Sequence, residues 1–130
     1  MNNSDKEKNR VLFSVGHHEL LTFKDESKYK AILLGKLLNS LNYHPEPIDK
    51  PLTEDLLKDC QILVLGAPTQ DLEDEEECEA IYQFVEKGGG LLVLSDAKMM
   101  AKPLAYPHLN TLTTKMGFKI QEYHNHQPES

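Results

Sequence analysis

Basic residues are in short supply. Lys and Arg number 14 against 21 Asp and Glu, giving a net charge of −7 over 130 residues. An acidic surface repels phosphate backbones and anionic headgroups, so nucleic acid and membrane surfaces are poor partners. No apolar run approaches the roughly 20 residues of a bilayer-spanning helix, and membrane insertion is not expected. Cysteine is scarce as well: Cys60 and Cys78 cannot make a disulfide framework. Cys60 opens an apolar run and reads as a small buried hydrophobe. Cys78 lies between Asp71 and Glu79, where seven of nine residues are acidic. Those carboxylates raise a thiol pKa and weaken it as a nucleophile. The opening stretch Met1–Arg10 is polar and charged, which speaks against a secretory signal. A cytoplasmic setting is the expectation.

Several chemical signatures are missing. The Gly88-Gly89-Gly90 run precedes a strand-like segment rather than a helix, so it is no phosphate loop. A phosphoacceptor receiver needs carboxylates after its first and third strands, and here the third ends in Gly66. The first loop has no hydroxyl-rich cradle for a flavin phosphate. Ser95 lacks the Gly-x-Ser-x-Gly elbow that exposes a nucleophile. No cofactor and no catalytic residue is assigned.

What the chain does have is alternation. Short apolar runs at Val11–Phe13, Ile62–Leu65 and Leu91–Leu94 are separated by amphipathic stretches, the pattern of a parallel sheet covered by helices. The first strand is placed at Arg10–Val15. A helix is expected over Ser27–Leu41, with Leu34, Leu37, Leu38 and Leu41 packing on the sheet. Tyr43–Lys50, with Pro45 and Pro47, makes a short edge strand. Thr53 caps a short helix to Lys58, stapled by Leu52 and Leu57. Strand three covers Gln61–Leu65. The acidic run opens a helix over Glu73–Lys87, burying Cys78, Ile81, Tyr82 and Val85. Its carboxylates stand at the positive end of the helix dipole, which accounts for them without a ligand; a divalent metal there is the alternative. Strand four covers Leu91–Ser95, a last helix His108–Met116, and a final strand Phe118–Tyr123.

The expected fold is therefore α/β: a flavodoxin-like three-layer sandwich with a five-stranded parallel sheet of order 2-1-3-4-5 and helices on both faces. Residues 1–9 read as a disordered polar lead, 10–123 as a single domain and 124–130 as a flexible tail. Any ligand should sit where the strand order reverses, at the carboxyl ends of strands 1, 3 and 4.

The order of features resembles the GIFT-type domain of gliding-motility and intraflagellar-transport proteins, within the class I glutamine amidotransferase-like superfamily. The resemblance covers about residues 10 to 123. It is carried by strand one running into Gly16-His17-His18-Glu19 and by Pro51-Leu52-Thr53 before Leu56. Further on it rests on Ile62–Leu65 followed by Ala67-Pro68 and an acidic helix start. Phe84-Val85, the triple glycine, Leu91–Leu94, Asp96 and the late Leu109–Leu112 before Met116-Gly117-Phe118 complete it. Catalytic members of that superfamily carry a cysteine on the turn after a central strand. The matching turn here reads Ser95-Asp96-Ala97, so the resemblance implies a non-catalytic module used in assemblies, with carbohydrate binding as a conjecture. The chain's end soon after the fifth strand adds the expectation that pairing with another subunit supplies missing coverage.

The candidate ligand-binding residues are Gly16, His17, His18, Glu19, Pro68, Thr69, Gln70, Ser95 and Asp96. Imidazole with carboxylate suits zinc, yet adjacent histidines in extended chain point in opposite directions, and no recognised metal-ligand spacing is present. One histidine bonding the loop while the other meets water is the plainer arrangement. Thr69 and Gln70 can bond a small polar ligand or sugar, or simply shape a turn. Ser95 and Asp96 with a histidine make a conceivable hydrolytic triad, but Asp96 as a cap and Ser95 as a strand end is the stronger reading. His124 and His126 form a second pair on the tail. The leading expectation is a protein-contact module with a protein partner or as a homo-oligomer. A crevice that binds a small polar ligand or sugar comes second and a metal-assisted hydrolase third.

Overall fold

A computed structural model describes residues 9–19, 30–94 and 105–117. The expected fifth strand, the Ser95-Asp96 pair, the polar lead before residue 9 and the tail histidines lie outside these residues.

Among the described residues, four parallel strands form the sheet in the order β2-β1-β3-β4. They are β1 (Arg10–Ser14), β2 (His44–Ile48), β3 (Ile62–Gly66) and β4 (Gly90–Leu94). Register aligns Leu12 with Leu63 and Leu63 with Leu91, and Phe13 with Val64 and Val64 with Leu92. Since side chains alternate along a strand, these rows face opposite sides. On one side Leu12, Leu63 and Leu65 pack with Leu52, Leu57, Ile81, Phe84, Leu109 and Leu112. On the other, Val11, Phe13 and Val64 meet Leu38, Tyr43 and Ile62. Helices thus flank the sheet on both faces. α1 (Lys30–Ser40) lies on the second face, while α2 (Glu54–Leu57), α3 (Glu75–Glu86) and α4 (Pro107–Lys115) lie on the first.

The prolines of β2 explain its place at the sheet edge. The His44 amide donates to the Asn9 carbonyl at 2.8 Å. Backbone groups alternate direction along a strand, so Pro45 and Pro47 turn their nitrogens, which lack N–H, toward the free edge. Such an edge resists pairing with a further strand.

Helix ends follow local rules. Thr53 Oγ1 accepts from the Leu56 amide at 3.1 Å and Asp74 Oδ1 from the Glu77 amide at 2.9 Å, each an N-cap. α3 closes with a Schellman motif in which Gly88 N–H donates to the Val85 carbonyl and Gly89 N–H to the Phe84 carbonyl, both at 2.9 Å. Gly88 has φ +99°, and a Cβ on Gly89 would stand 2.4 Å from the Phe84 ring. A larger residue would be strained at Gly88 by its φ and would have to push the Phe84 ring aside at Gly89.

The leucine stripe expected on α1 is corrected. Leu38 packs on the sheet and Gly35 is buried, but Leu37 and Leu41 are 54% and 58% exposed. The buried row runs through Gly35 and Leu38, and that rotation turns Leu37 and Leu41 to the outside. On α3 the buried set is Glu77, Cys78, Ala80, Ile81 and Phe84, with Tyr82 and Val85 only partly covered.

Candidate functional site

β1 ends at Ser14, and the chain turns through Gly16 to bring His17 back under the carboxyl end of the sheet. His17 is 4% exposed and Glu19 8%, whereas His18 is on the surface with φ +50°. The two adjacent histidines thus part company, one inward and one outward. Ala67, after β3, also has a positive φ of 57°. Two non-glycine residues in this costly region therefore flank the point where the strand order reverses.

His17 is held from every side. Its Nε2 lies 2.7 Å from Glu77 Oε1 and its Nδ1 3.0 Å from Glu19 Oε2, with Ser14 Oγ also 3.0 Å from Nδ1. The His17 amide donates to Glu19 Oε1 at 2.8 Å, and the His17 carbonyl accepts from the amides of Thr69 and Gln70 at 3.1 Å each. Thr69 Oγ1 donates to the His18 carbonyl at 2.8 Å. Burial pushes the imidazole pKa down, but hydrogen bonds to Glu19 and Glu77, and their charges, outweigh it and raise the value to about 9. At neutral pH the ring is an imidazolium, and both nitrogens donate to carboxylates. It then has no lone pair with which to bind a metal or accept a substrate proton. Among the described residues no group of three or more His, Cys, Asp and Glu side chains is arranged to hold a metal ion.

Glu77 was missed as a functional position in the sequence. It is 2% exposed within an otherwise solvated acidic run. Besides His17, its carboxylate accepts from the Leu52 amide at 2.6 Å and the Glu73 amide at 2.8 Å. Burial works to raise its pKa, yet His17 and the two amides hold it below the usual carboxylate range. The spacing Asp74-x-x-Glu77 is that of a capping box, but the Glu77 carboxylate accepts from the Glu73 amide and turns inward to His17 instead of back to Asp74, a role the spacing does not announce. The far partners are not readable from spacing. Asp71 was missed too. Its two oxygens accept from the amides of His108 and Leu109 at 2.8 Å, capping α4 from 37 and 38 positions away. Tyr106, at the start of that helix, supplies no side-chain cap and instead donates its hydroxyl to the Pro68 carbonyl at 3.0 Å.

The loops after β1 and β3 therefore meet as expected, and Gly16, His17, His18, Glu19, Pro68, Thr69 and Gln70 cluster there. Gly16, His17 and Gln70, with Pro51, Asp71 and Glu73, line a hollow of about 190 Å³, below the range typical of ligand sites. A larger hollow of about 800 Å³ lies at the opposite, amino end of the sheet, between α2 and α3. Cys78 is buried, but Cys60, expected to be a buried hydrophobe, is only half-buried. Burial, then nearby carboxylates, pushes the Cys78 thiol up against the opposing pull of Lys115, and burial raises that of Cys60, whose Sγ donates to the Ile62 carbonyl. Among the described residues no helix is long and apolar enough to cross a membrane.

No family model and no curated protein matches the chain. Among solved structures, the mmIFT52 N-terminal domain superposes with a TM-score of 0.70 at 18% sequence identity, over 92% of this chain and 52% of that one. The chain thus spans about half the length of that structure. It has the fold of the N-terminal domain of an intraflagellar transport protein, the likeness that its GIFT-type order of features leads one to expect.

Proposed function

We propose that this domain is a non-catalytic cytoplasmic module that works through protein contacts within a larger assembly. One observation carries the reading: the polar groups at the carboxyl end of the sheet are used on one another. Both ring nitrogens of His17 face carboxylates, and Glu77 serves two backbone amides besides. No buried side-chain nitrogen or oxygen among the described residues lacks a hydrogen-bond partner. A catalytic or ligand site usually keeps reactive or unpaired groups in reserve; this cluster behaves as a clasp between loops. The neighbour's name, which belongs to intraflagellar transport, supports assembly as the task. Fold alone does not choose a function, so the clasp carries more weight.

A second reading keeps the small hollow as a site for a small polar ligand or sugar, using Gly16, His17 and Gln70. Its size places it second. The five-stranded order 2-1-3-4-5, with Phe118–Tyr123 as the outer strand, belongs to the same proposal.

The test is native mass spectrometry of the protein purified from its own cells, alongside the Gln70→Ala variant, whose side chain lines the small hollow. The assembly reading expects a complex of fixed stoichiometry, retained in the variant. A monomer carrying a small molecule that Gln70→Ala releases would overturn it in favour of the second reading.

A further inference from the structure

α1 lies on the second face of the sheet over β1 and β2, with Leu38 packed among Val11, Phe13 and Val64. β3 and β4 continue past it. Register gives Val64 and Leu92 to this same face. Val64 is buried but Leu92 is 43% exposed, so the cover ends at β3. Yet β4 reads Gly-Leu-Leu-Val-Leu, the pattern of a parallel strand covered on both sides.

Helix phase says where the exposed leucines of α1 turn. Crossovers between parallel strands are right-handed, so α1 descends with β2 on one flank and β3 on the other. Successive residues advance by about 100° around the axis. Measured from the inward line of Leu38, buried Gly35 turns toward β2, and Leu37 and Leu41 turn toward β3. Leu41 keeps this phase past the end of the helix, because its amide still donates to the Leu37 and Leu38 carbonyls. Leu37, Leu41 and Leu92 are the exposed large apolar side chains among the described residues. All three border one trough, with α1 as its wall and β3 and β4 as its floor.

We infer that this trough receives α1 of a second copy of the chain, in a symmetric dimer joined through the second faces of the two sheets. The inference rests on the assembly reading above and names one of its contacts. Two adjacent strands span about 10 Å, about the diameter of a helix, so wall and trough match in width. A two-fold axis parallel to the strands sets each α1 into the other copy's trough, whereas an axis across the strands sets wall on wall. Leu37 and Leu41 of the two copies then meet at the axis, and each Leu92 lies beneath the opposing helix. Such an interface is isologous and closes at two.

Charge selects the same surface. Each copy carries −7, so two copies repel unless they meet where acids are missing. No Asp or Glu occurs from Ser27 to Pro45, nor on β3 or β4. On the first face, α2 carries two and α3 five. The charges on α1 are Lys30 and Lys36. Lys36 is exposed, and its stem can lie along an apolar floor while its ammonium stays in water.

Sedimentation equilibrium of the purified chain, from micromolar to millimolar concentration, tests this. The mass should climb from monomer to dimer and no further. Leu37→Glu sets two carboxylates against each other at the axis and should weaken pairing at least tenfold. Leu37 is more than half exposed, so this variant should fold, with a circular dichroism spectrum like the parent's. Leu92→Thr keeps a strand-forming residue and should weaken pairing at least threefold. Lys58→Gln makes the same charge change as Leu37→Glu on the first face and should alter pairing less than twofold. In nitrogen-15 spectra, dilution should move the amides of residues 36–42 and 90–94 and leave 54–58 and 75–86 in place. A chain still monomeric at millimolar concentration, pairing unchanged in Leu37→Glu, or shifts centred on α2 and α3 would each overturn the dimer. A chain that is monomeric when pure but complexed in its cells sinks the dimer and leaves the assembly reading standing, so the two proposals fail separately.

Discussion

Glu77 Oε1 stands 2.7 Å from His17 Nε2 although 60 positions separate the two residues. This pair ties the first helix turn of α3 to the loop after β1, and Leu52 joins through its amide at 2.6 Å from the other carboxylate oxygen. Three segments that the sheet alone would leave adjacent are thereby locked in one arrangement. Removing one partner of a buried ion pair strands the other, at a cost of about 3–5 kcal/mol. Glu77→Ala should therefore destabilise the fold severely, by orphaning the Leu52 and Glu73 amides as well as His17. Glu77→Gln retains an acceptor oxygen and should cost less than half as much in urea unfolding. Equal losses in the two variants would show that the charge, and not the backbone acceptor role, holds the clasp.

The same pair makes stability depend on pH. His17 has an ordinary pKa of 6.5 and a folded value raised to about 9. Its contribution is fully present below pH 6.5 and is lost as pH rises through about 9. Glu77 is shifted the other way, so its contribution is present above its ordinary value of 4.5 and is lost as pH falls through its lower folded value. Stability should be level between about pH 5 and 6.5 and decline toward pH 9 by about 2–3 kcal/mol. Urea midpoints measured across that range, with His17→Gln as the comparison, check this. A flat profile for the parent protein would mean that folding leaves the His17 pKa unshifted, and a rise through pH 6.5 that the folded ring is held neutral.

Much of this architecture is legible in the sequence because it follows from local rules. Thr53 before Glu54-Asp55 announces a cap, and the structure has it. Gly88 after Lys87 announces a helix stop, and Pro45 with Pro47 announces a sheet edge. Three of the described strands fall within a residue or two of their apolar runs, and His44–Ile48 falls inside the expected edge strand Tyr43–Lys50. The clasp was only half legible. His17 and Glu19 sit two positions apart in a loop whose location the strand order gives, but Glu77 is hidden among like residues. Nothing in the string Glu75-Glu76-Glu77 says which carboxylate turns inward, since that depends on the loop it meets. The rotation of α1 escaped for a related reason. Leu37 and Leu38 are equally apolar, and nothing in their spacing says which of them turns to the sheet.

Asp71 offers a prediction confined to one helix. Its carboxylate caps α4 through the amides of His108 and Leu109, a role that Tyr106 does not fill. Loss of an N-cap typically costs about 1 kcal/mol, and up to about 2 kcal/mol in a folded protein. Asp71→Ala should cost that amount and should raise amide exchange first across Pro107–Lys115. Protection lost evenly over the whole chain would mean that α4 does not open on its own.

His18 tests whether the exposed member of the histidine pair matters to the fold. Its side chain is in solvent, while its carbonyl accepts from Thr69 Oγ1 at 2.8 Å, a bond that survives any substitution of the side chain. Its φ of +50° is a conformation that glycine adopts without strain. His18→Ala should therefore change stability by no more than about 0.5 kcal/mol. His18→Gly should be neutral or stabilising by up to about 1 kcal/mol, because relief of the positive φ opposes the greater freedom of the unfolded chain. Thermal melts of both variants decide the matter. A loss above about 2 kcal/mol in His18→Ala would require a contact for this imidazole that the folded loop does not provide, and would move His18 from the surface of the clasp into its machinery.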